Sequence, residues 1–350
     1  MGIEKSSKRI GRTPLLIMAA IAVVVLVGGI VALNFLQRPV IDLHGEKGEF
    51  FVPRGATIDD VCGLLNHSEW LKDESSFRRM AALMSCERVK PGRYVLKDGM
   101  TSRQLVAKLR SGDQTPVRVT FNNVRTLPQL AGIVAGYLEA DSLEILDAMR
   151  DTLMTETLGF TPEMSLAMYL PDTYDIYWTA NGEEWVRRMK HEYDKFWTET
   201  RRLKADSLGL KPNEAVIIAS IIEEETNKKD EYPIIAGLYL NRLRMGMPLQ
   251  ACPTLKFCKG DFTIRRVLKK DQEIDNPYNT YKYAGLPPGP IRIASGTTID
   301  AVLNAEDNEY LFMCARPDNS GRHNFARTNA QHEKNAREYQ KWLNQRKIYR

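Results

Sequence analysis

Three consecutive glutamates, Glu223, Glu224 and Glu225, end a strongly apolar segment that begins at Pro212. A carboxyl group that apolar surroundings keep neutral can serve as a general acid, whereas a carboxylate on a solvated helix end has no such role. Proline is favoured in the first turn of a helix, and every residue from 215 to 222 except one serine is apolar. The sequence therefore predicts a central helix that carries the three glutamates at its end.

The helical repeat distinguishes the three glutamates. A side chain shares a face with the residues three and four positions before it. Glu223 therefore stands above Ala219 and Ser220, two small side chains that would let a ligand or another backbone approach closely. Glu224 and Glu225 each stand above at least one isoleucine. This geometry favours Glu223 as a general acid, with a solvated helix end as the alternative.

The composition is that of a globular protein with more than one domain. The chain has 350 residues, 43% of them hydrophobic, and a formal net charge of +5. The basic residues are dispersed rather than gathered in stripes, which argues against nucleic acid as a partner. The sequence contains no H-E-x-x-H or G-x-S-x-G motif, so it favours neither a metalloenzyme nor a serine hydrolase. We expect no metal and no cofactor.

An apolar stretch near the N-terminus, residues 15–33, is long enough to cross the roughly 30 Å hydrocarbon layer as a helix. No charge falls between Arg12 and Arg38, and the residues before the stretch are mainly basic. The positive-inside rule therefore predicts a cytoplasmic N-terminus and export of everything after Arg38. A cleaved signal peptide is the alternative, but its apolar region usually spans only about 7–15 residues. The longer stretch favours an uncleaved, single-pass anchor in the inner (cytoplasmic) membrane.

Changes of pattern along the chain predict an α+β protein with two lobes after one anchor. The segment EFFVPRG reads as a strand and a turn, and Thr57 is placed to cap the helix that follows. The predicted parts are a cytoplasmic tail at 1–13, a transmembrane anchor at 14–36, a polar tether at 37–47, a small lobe at 48–112 and a larger lobe at 113–350.

Five cysteines lie in the part of the chain that we expect to be exported: Cys62, Cys86, Cys252, Cys258 and Cys314. Their spacing fits no C-x-x-C zinc or redox pattern. The first two, or the third and fourth, could form a disulfide, but an odd count leaves at least one free thiol. Small buried apolar side chains are the favoured interpretation for most of them.

Several ordered motifs resemble the YceG-like family of endolytic murein transglycosylases. The motifs are LPDTY at 170–174, ASIIEEET at 219–226, NRLRMGMPLQ at 241–250 followed by PT at 253–254, YNTY at 278–281, GLPPGPI at 285–291, and H-x-F-x-x-T-x-x-x-H at 323–332. The resemblance covers essentially the whole exported part. The chain departs from the family at Glu224, where a basic residue is more usual, and at Cys252, where an aspartate is more usual.

The resemblance implies an enzyme that cleaves MurNAc–GlcNAc bonds in peptidoglycan glycan strands and leaves 1,6-anhydroMurNAc ends. It places the catalytic glutamate at Glu223, the first acid after ASI and a hydrophobic residue. It also implies a LysM-like small lobe, a periplasmic or extracytoplasmic YceG-like catalytic lobe, and work beside peptidoglycan synthases, trimming or terminating nascent strands.

Such a reaction needs only one carboxyl group, because the sugar's own 6-hydroxyl is the nucleophile, whereas ordinary glycoside hydrolysis uses two. Neutral hydrogen-bonding groups and aromatic rings in the shared motifs are the candidates for binding the sugar: Gln250, Thr254, Tyr278, Asn279, Thr280, Tyr281 and His323. Core packing is the alternative for Tyr281, and a structural role is the alternative for His323. Gly289 and the prolines before it are expected to shape a rigid loop.

A protein of another class also fits these observations. It would be a non-catalytic, membrane-anchored scaffold that binds peptidoglycan and keeps the fold without the activity. A glutamine or alanine at position 223 would favour the scaffold. The glutamate found there favours the enzyme.

Overall fold

The structure is a computed structural model that describes residues 12–264 and 267–346. It contains both helices and short strands, as the sequence predicts. The chain divides into two compact units. One runs to Val117 and includes Tyr177–Thr179, and the other consists of Arg118–Ile176 and the chain from Ala180 onward.

The first unit begins with a long helix, α1 (Arg12–Gln37). Five shorter elements follow: β1 (Glu49–Val52), α2 (Ile58–His67), α3 (Glu74–Leu83), β2 (Gly92–Val95) and α4 (Ser102–Ser111). β1 and β2 pair antiparallel, with Phe50 opposite Tyr94. Both side chains are buried and join residues of the three short helices in one core.

The predicted cap of α2 is confirmed. The Thr57 hydroxyl accepts a hydrogen bond from the Asp60 N–H at 3.2 Å, and the Asp60 carboxylate accepts one from the Thr57 N–H at 2.8 Å. Thr101 and Gln104 form the same reciprocal pair at the start of α4. These capping boxes satisfy N–H groups that the first turn of a helix leaves without a partner, so they fix where both helices begin.

The segment expected to be a polar tether is part of the core of the first unit. Val40, Ile41 and Leu43 are buried, and the Val40 N–H donates to the Met100 carbonyl at 2.8 Å. Each buried aliphatic side chain contributes about 1.5–3 kcal/mol, so a few apolar residues in a polar stretch are enough to fix it. The unit therefore begins close to the end of α1 rather than at residue 48.

α1 contains the stretch predicted to be an anchor. From Leu16 to Gln37 its mean hydropathy is 3.0, and none of its most apolar window is buried. By length and composition this helix can cross a membrane, which on its own is weak support for an anchor. The first eleven residues of the expected cytoplasmic tail lie outside the described residues.

The second unit holds most of β3 and all later elements. Its strands are β3 (Val117–Thr120), β4 (Thr173–Ile176), β5 (Phe312–Ala315) and β6 (His323–Ala326). Its helices are α5 (Leu127–Ala135), α6 (Ser142–Arg150), α7 (Thr152–Thr157), α8 (Gly182–Phe196), α9 (Glu199–Ser207), α10 (Pro212–Glu225), α11 (Tyr232–Arg244), α12 (Cys252–Lys259), α13 (Gly296–Leu303) and α14 (Asn329–Gln345). Short 3-10 helices lie at Ser165–Met168, Lys229–Glu231 and Lys269–Glu273.

α10 is the central helix of the second unit, as its apolar sequence predicts. Every residue from 215 to 222 is buried. Pro212 lies in the first turn, and the Glu214 carboxylate accepts a hydrogen bond from the Lys211 N–H at 2.7 Å. The helix packs against α9, α11, α12 and α13. Its last turn, with the three glutamates, therefore lies among other elements of the unit rather than on a free end.

The C-terminal part forms a hairpin covered by a helix. β5 and β6 pair antiparallel, with Ala315 opposite His323, and α14 packs on both strands. No residue of α14 is buried, and the side chains of β5 are all half-buried. The hairpin and α14 therefore enclose their neighbours only loosely, and they form one wall of a cavity.

All five cysteines are free thiols, so neither possible disulfide is formed. Cys62 and Cys86 are buried in the core of the first unit, as expected for small apolar side chains. Cys252 is exposed, and Cys258 and Cys314 are half-buried, so that expectation is correct for two of the five.

Candidate active site

The three glutamates at the end of α10 contact three different sets of partners. Successive residues of an α-helix are rotated by about 100°, so neighbours in the sequence face different surroundings. A carboxylate in the last turn is also unfavourable, because the helix dipole is negative there. Each glutamate needs a compensating contact; Glu223 and Glu224 share Arg292 but otherwise have different partners, and Glu225 shares none with them.

Glu223 caps another helix. Its Oε1 accepts hydrogen bonds from the Ser295 N–H at 2.8 Å and from the hydroxyls of Ser295 and Thr298 at 2.5 Å each. Ser295 is the N-cap of α13, where the positive end of the helix dipole favours a carboxylate. Oε2 of Glu223 lies 3.4 Å from Nε of the buried Arg292. Both oxygens therefore join α10 to neighbouring segments.

The assignment of Glu223 as the catalytic residue of a sugar groove stays a prediction. A backbone segment approaches the face of α10 that carries Ala219 and Ser220. The Ile291 N–H donates to the Ser220 hydroxyl at 3.1 Å. Glu223 is also absent from the described residues that line the cavity around Gln250. The contacts of Glu223 join α10 to the segment before α13 and to the first turn of α13.

Glu224 is the centre of an ion-pair network. Its carboxylate accepts hydrogen bonds from Nε and Nη2 of Arg125, at 3.0 and 3.1 Å, and from Nη1 of Arg292, at 2.9 Å. Nη2 of Arg292 donates to the Asn123 side chain at 2.6 Å. Bidentate pairing of this kind fixes geometry as well as charge. The network connects α10 to the segments before α5 and α13.

Glu225 is the glutamate that faces a cavity. The cavity has a volume of about 470 Å³ and is bounded by α10, α11, the segment leading into α12, the β5–β6 hairpin and α14. The Tyr239 hydroxyl donates to Glu225 Oε1 at 3.2 Å. Burial raises the pKa of the Glu225 carboxyl to about 7, against the opposing effects of the Tyr239 hydrogen bond and the Lys256 charge. A carboxyl group with such a pKa can both hold and release a proton at neutral pH.

Gln250 lies on the wall of the same cavity, as expected for a binding residue. Its Oε1 accepts a hydrogen bond from Nη2 of Arg242 at 2.6 Å, so the amide nitrogen remains as a donor. Its φ is 53°, a left-handed conformation that is uncommon outside glycine and that clusters at functional sites. The Gln250 N–H donates to the Thr280 carbonyl at 2.9 Å, which helps to keep this conformation.

Arg242 is a site residue that the sequence analysis missed. It is buried, it donates to the Leu249 carbonyl at 3.2 Å as well as to Gln250, and its guanidinium stands over the Phe312 ring. Burial lowers the pKa of Arg242. Its place in the NRLRMGMPLQ motif is the signal that could have identified it, because the same motif ends in Gln250.

Tyr281 and Cys252 line the cavity near Glu225. The Tyr281 hydroxyl and Cys252 Sγ are 3.1 Å apart. Burial raises the pKa of the Tyr281 hydroxyl, so this group is neutral at pH 7. At this position, where the family more usually has an aspartate, the structure shows a thiol beside a phenol.

Four other predicted binding residues do not line this cavity and instead support the loop that carries Tyr281. Thr254, Asn279 and Thr280 are buried. The two threonine hydroxyls are 2.9 Å apart, and the Asn279 amide donates to two backbone carbonyls. Tyr278 packs on Phe257, with ring centroids 4.7 Å apart. Their predicted contact with substrate is therefore not supported by the structure.

His323 lines the cavity and pairs with a buried carboxylate. Its Nδ1 lies 3.0 Å from Oε2 of Glu231, and its backbone N–H donates to Oε1 of Glu231 at 2.9 Å. Glu231 is only 2% exposed and ends the 3-10 helix between α10 and α11. The sequence analysis did not identify Glu231, because nothing local links it to a histidine 92 positions away.

Fold and site together define a class of protein: two units of mixed helices and strands, the larger with a cavity around a protonatable carboxyl group. The sequence matches the model of the YceG-like family over residues 50–338, and the chain belongs to that family. A crystal structure of a YceG-like protein from Listeria monocytogenes resembles it with a TM-score of 0.56 and 27% sequence identity, over 83% of this chain and 98% of that one.

Two relatives are both named endolytic murein transglycosylase. The protein from Bacillus subtilis (strain 168) is 27% identical over 303 residues, which are 82% of this chain and 83% of that protein. The protein from Streptococcus pneumoniae (strain ATCC BAA-255 / R6) is 27% identical over 322 residues and 82% of this chain. The match spans only 57% of the length of the second relative.

Proposed function

We propose that this chain is a peptidoglycan lytic transglycosylase that cuts within glycan strands, with Glu225 as its general acid. Two kinds of support converge on this proposal. The relatives that match most of this chain are named for a murein transglycosylase activity. Independently, Glu225, whose pKa burial raises to about 7, faces one of the cavities of the second unit.

In the proposed reaction, Glu225 protonates the oxygen of a MurNAc–GlcNAc bond as the bond from that oxygen to C1 breaks. The 6-hydroxyl of the same MurNAc then attacks C1, and its proton passes to a base, for which the newly formed Glu225 carboxylate is one candidate. The product is a 1,6-anhydroMurNAc end, and no water is consumed. Intramolecular attack has a high effective concentration, so no second carboxyl group is required as nucleophile or base.

The surroundings of Glu225 suit the start of this cycle. A general acid works best when its pKa lies near the working pH, and burial brings the pKa of Glu225 to about 7. The Gln250 amide nitrogen and the Tyr281 hydroxyl offer neutral hydrogen bonds to a sugar from the same cavity. The observation that carries the proposal is the Glu225 carboxyl group in a cavity that Gln250 and Tyr281 also line.

The cellular setting belongs to the same proposal. α1 would anchor the protein in the inner membrane with its N-terminus in the cytoplasm, so that both units work on the outer side. The first unit would act as a LysM-like glycan-binding lobe, which raises the effective concentration of glycan near the catalytic unit. Peptidoglycan synthases are the proposed neighbours, since they supply nascent strands.

The proposal is tested by digesting purified sacculi with the wild-type protein and with Glu225→Gln, followed by mass spectrometry of the new sugar ends. Glutamine keeps the size of the side chain but cannot donate a carboxylic proton. We expect anhydro ends from the wild type and none from the variant. Reducing ends would instead identify a hydrolase, and an absence of new ends from the wild type would support the non-catalytic scaffold.

A further inference from the structure

We infer that Tyr339, Trp342 and Arg346, which form one row along α14 and the residue that follows it, bind the acidic peptide stem of a glycan strand. Strands that carry stems are therefore preferred to naked ones. This inference rests on the proposed function, because it names the form of glycan that the same cavity takes. It holds whichever glutamate of α10 supplies the acid.

Stacking holds the three side chains of this row in order. The ring centroids of Tyr339 and Trp342 are 5.8 Å apart, and the ring planes are inclined by 18°. The Arg346 guanidinium lies 4.1 Å from the centroid of the Trp342 ring. Spacings of three and four residues place side chains on one face of a helix, where stacking and cation–π contact orient flat groups. The row is therefore ordered before a ligand binds, which lowers the entropy cost of binding.

The row begins at the wall of the cavity. His332 and Tyr339 both line the cavity, and their separation of seven residues places them on one face of α14. Arg346 lies a further seven residues along that face, which corresponds to about 10 Å of helix. The row therefore leads outward from the cavity, within reach of a long substituent on a sugar that is bound there.

The polar atoms of the row are free to bind a ligand. Among the described residues, the Tyr339 hydroxyl and the Trp342 indole N–H have no hydrogen-bond partner, and neither atom is buried. No described carboxylate pairs with Arg346, which is exposed. An indole and a guanidinium only donate hydrogen bonds, and a phenol can donate as well. From 339 to 346 the chain has two basic residues and no acid, so the ligand that fits is an acceptor with negative charge.

The peptide stem is the part of a glycan strand that has this chemistry. The hydroxyl and acetamido groups of the sugars are uncharged, whereas the stem carries carboxylates several bonds away from the sugar ring. Arginine pairs with a carboxylate through two parallel hydrogen bonds, and the phenol and the indole add neutral ones. A naked strand keeps only the lactyl carboxylate, which lies next to the sugar ring and is too short to follow the row from Tyr339 to Arg346.

A structural role is the alternative for each member of the row. A basic side chain at the end of a helix offsets the helix dipole, and a pair of apolar side chains three residues apart can stabilise a helix without any ligand. Lys341 provides a matched control, because it has the same charge at the same end of α14, is exposed and is not part of the stack. Tyr339→Phe is the matched change within the row, since it removes only the hydroxyl and keeps the stacked ring.

The test measures binding of the full chain to two preparations of uncross-linked glycan strands of equal length, one with stems and one after an amidase has removed them. Fluorescence anisotropy of end-labelled strands gives each Kd, and the strand length measured afterwards confirms that the strands are intact. We expect the wild type to bind the strands with stems about 5–30-fold more tightly than the naked ones. Arg346→Gln should weaken binding of strands with stems by about 2–5-fold and Tyr339→Phe by about 2–10-fold, whereas Lys341→Gln should match the wild type.

Equal affinity of the wild type for both preparations would overturn the inference. Equal effects of Arg346→Gln and Lys341→Gln would also overturn it, since attraction between opposite charges without a defined site would then be sufficient. Failure of the proposed function is distinguishable, because wild-type protein that produces no new ends from sacculi rejects the transglycosylase, whereas the binding assay needs no cleavage. Thermal unfolding of each variant confirms that the compared proteins are folded.

Discussion

Three chemically identical side chains in one helical turn have three different environments in this protein. Glu223 contacts the first turn of α13, Glu224 pairs with two arginines, and Glu225 faces the cavity. The rotation of about 100° per residue is sufficient to separate them. The assignment of the general acid therefore depends on which direction each residue faces rather than on the motif as a whole.

The pKa of Glu225 has a consequence for stability. Burial raises the pKa from 4.5 to about 7, so between these pH values the folded state binds more protons than the unfolded state, and the free energy of unfolding of the wild type falls as the pH rises. Glutamine does not titrate. The stability of Glu225→Gln relative to the wild type should therefore increase from about pH 4.5 and level off above about pH 7. Urea unfolding of both proteins across this pH range measures the difference in their free energies of unfolding. A difference that does not change with pH would argue against the raised pKa.

Glu223 should be important for stability rather than for chemistry. Its carboxylate accepts three hydrogen bonds at the start of α13 and lies beside the buried Arg292. Replacement by glutamine removes the charge and weakens these contacts, and we expect a loss of about 1–3 kcal/mol in the free energy of unfolding. Denaturant unfolding tests this expectation. A Glu223→Gln variant as stable as the wild type would contradict the capping role.

Sequence and structure favour different glutamates of α10 as the general acid, and the difference has a physical cause. The small residues Ala219 and Ser220 beneath Glu223 were expected to let a ligand or another backbone approach closely, and the backbone of Ile291 does so. Desolvation is a second criterion, and it favours Glu225, which stands above Ile221 and Ile222 and whose pKa burial raises. Which neighbour fills a groove depends on segments some 70 positions away, and a single sequence does not contain that information.

At the scale of elements, local signals in the sequence were reliable and long-range ones were not. The cap at Thr57, the start of α10 at Pro212 and the burial of residues 215–222 follow from patterns within a few residues, and the structure confirms them. The pairing of Glu231 with His323 and the docking of residues 40–43 depend on distant partners. Those features appeared only in the structure.

The loop around Gly289 requires a residue without a side chain. A Cβ at this position would overlap the Glu163 carbonyl and approach the Tyr278 hydroxyl, so Gly289→Ala should destabilise the second unit by about 1–3 kcal/mol. Gly132 in α5 is a matched control, because a Cβ there meets nothing within 4 Å. Gly132→Ala should be neutral or slightly stabilising, since alanine favours helix. Thermal unfolding of the two variants and the wild type measures these changes. A Gly289→Ala variant as stable as Gly132→Ala would contradict the close packing of the loop.

At the scale of the whole molecule, the core of the first unit begins close to the end of α1, the helix that is long and apolar enough to span a membrane. Val40, Ile41 and Leu43 belong to its core, and partly buried Phe35 and Leu36 at the end of α1 pack against the same core. The region between the apolar helix and the first unit is therefore not a flexible linker. A rigid connection of this kind would fix the distance of the first unit from the membrane surface.

The starting residue of a soluble fragment should accordingly matter. A fragment that begins at residue 38 keeps the three buried side chains, whereas one that begins at residue 45 loses them. At about 1.5–3 kcal/mol for each buried aliphatic side chain, the shorter fragment should be destabilised by several kcal/mol. Thermal unfolding of the two fragments tests the prediction. Equal melting temperatures would mean that residues 38–44 are a tether after all.

The most direct test of the central claim compares Glu223→Gln with Glu225→Gln in one assay. Both substitutions replace one carboxyl group in the same turn of α10 by an amide, so the comparison shows which of the two carboxyl groups the reaction needs. Release of anhydro ends from sacculi is measured for both variants at equal amounts of folded protein. We predict that Glu225→Gln releases none and that Glu223→Gln retains turnover close to the wild type. Loss of activity in Glu223→Gln with an active Glu225→Gln would contradict the account.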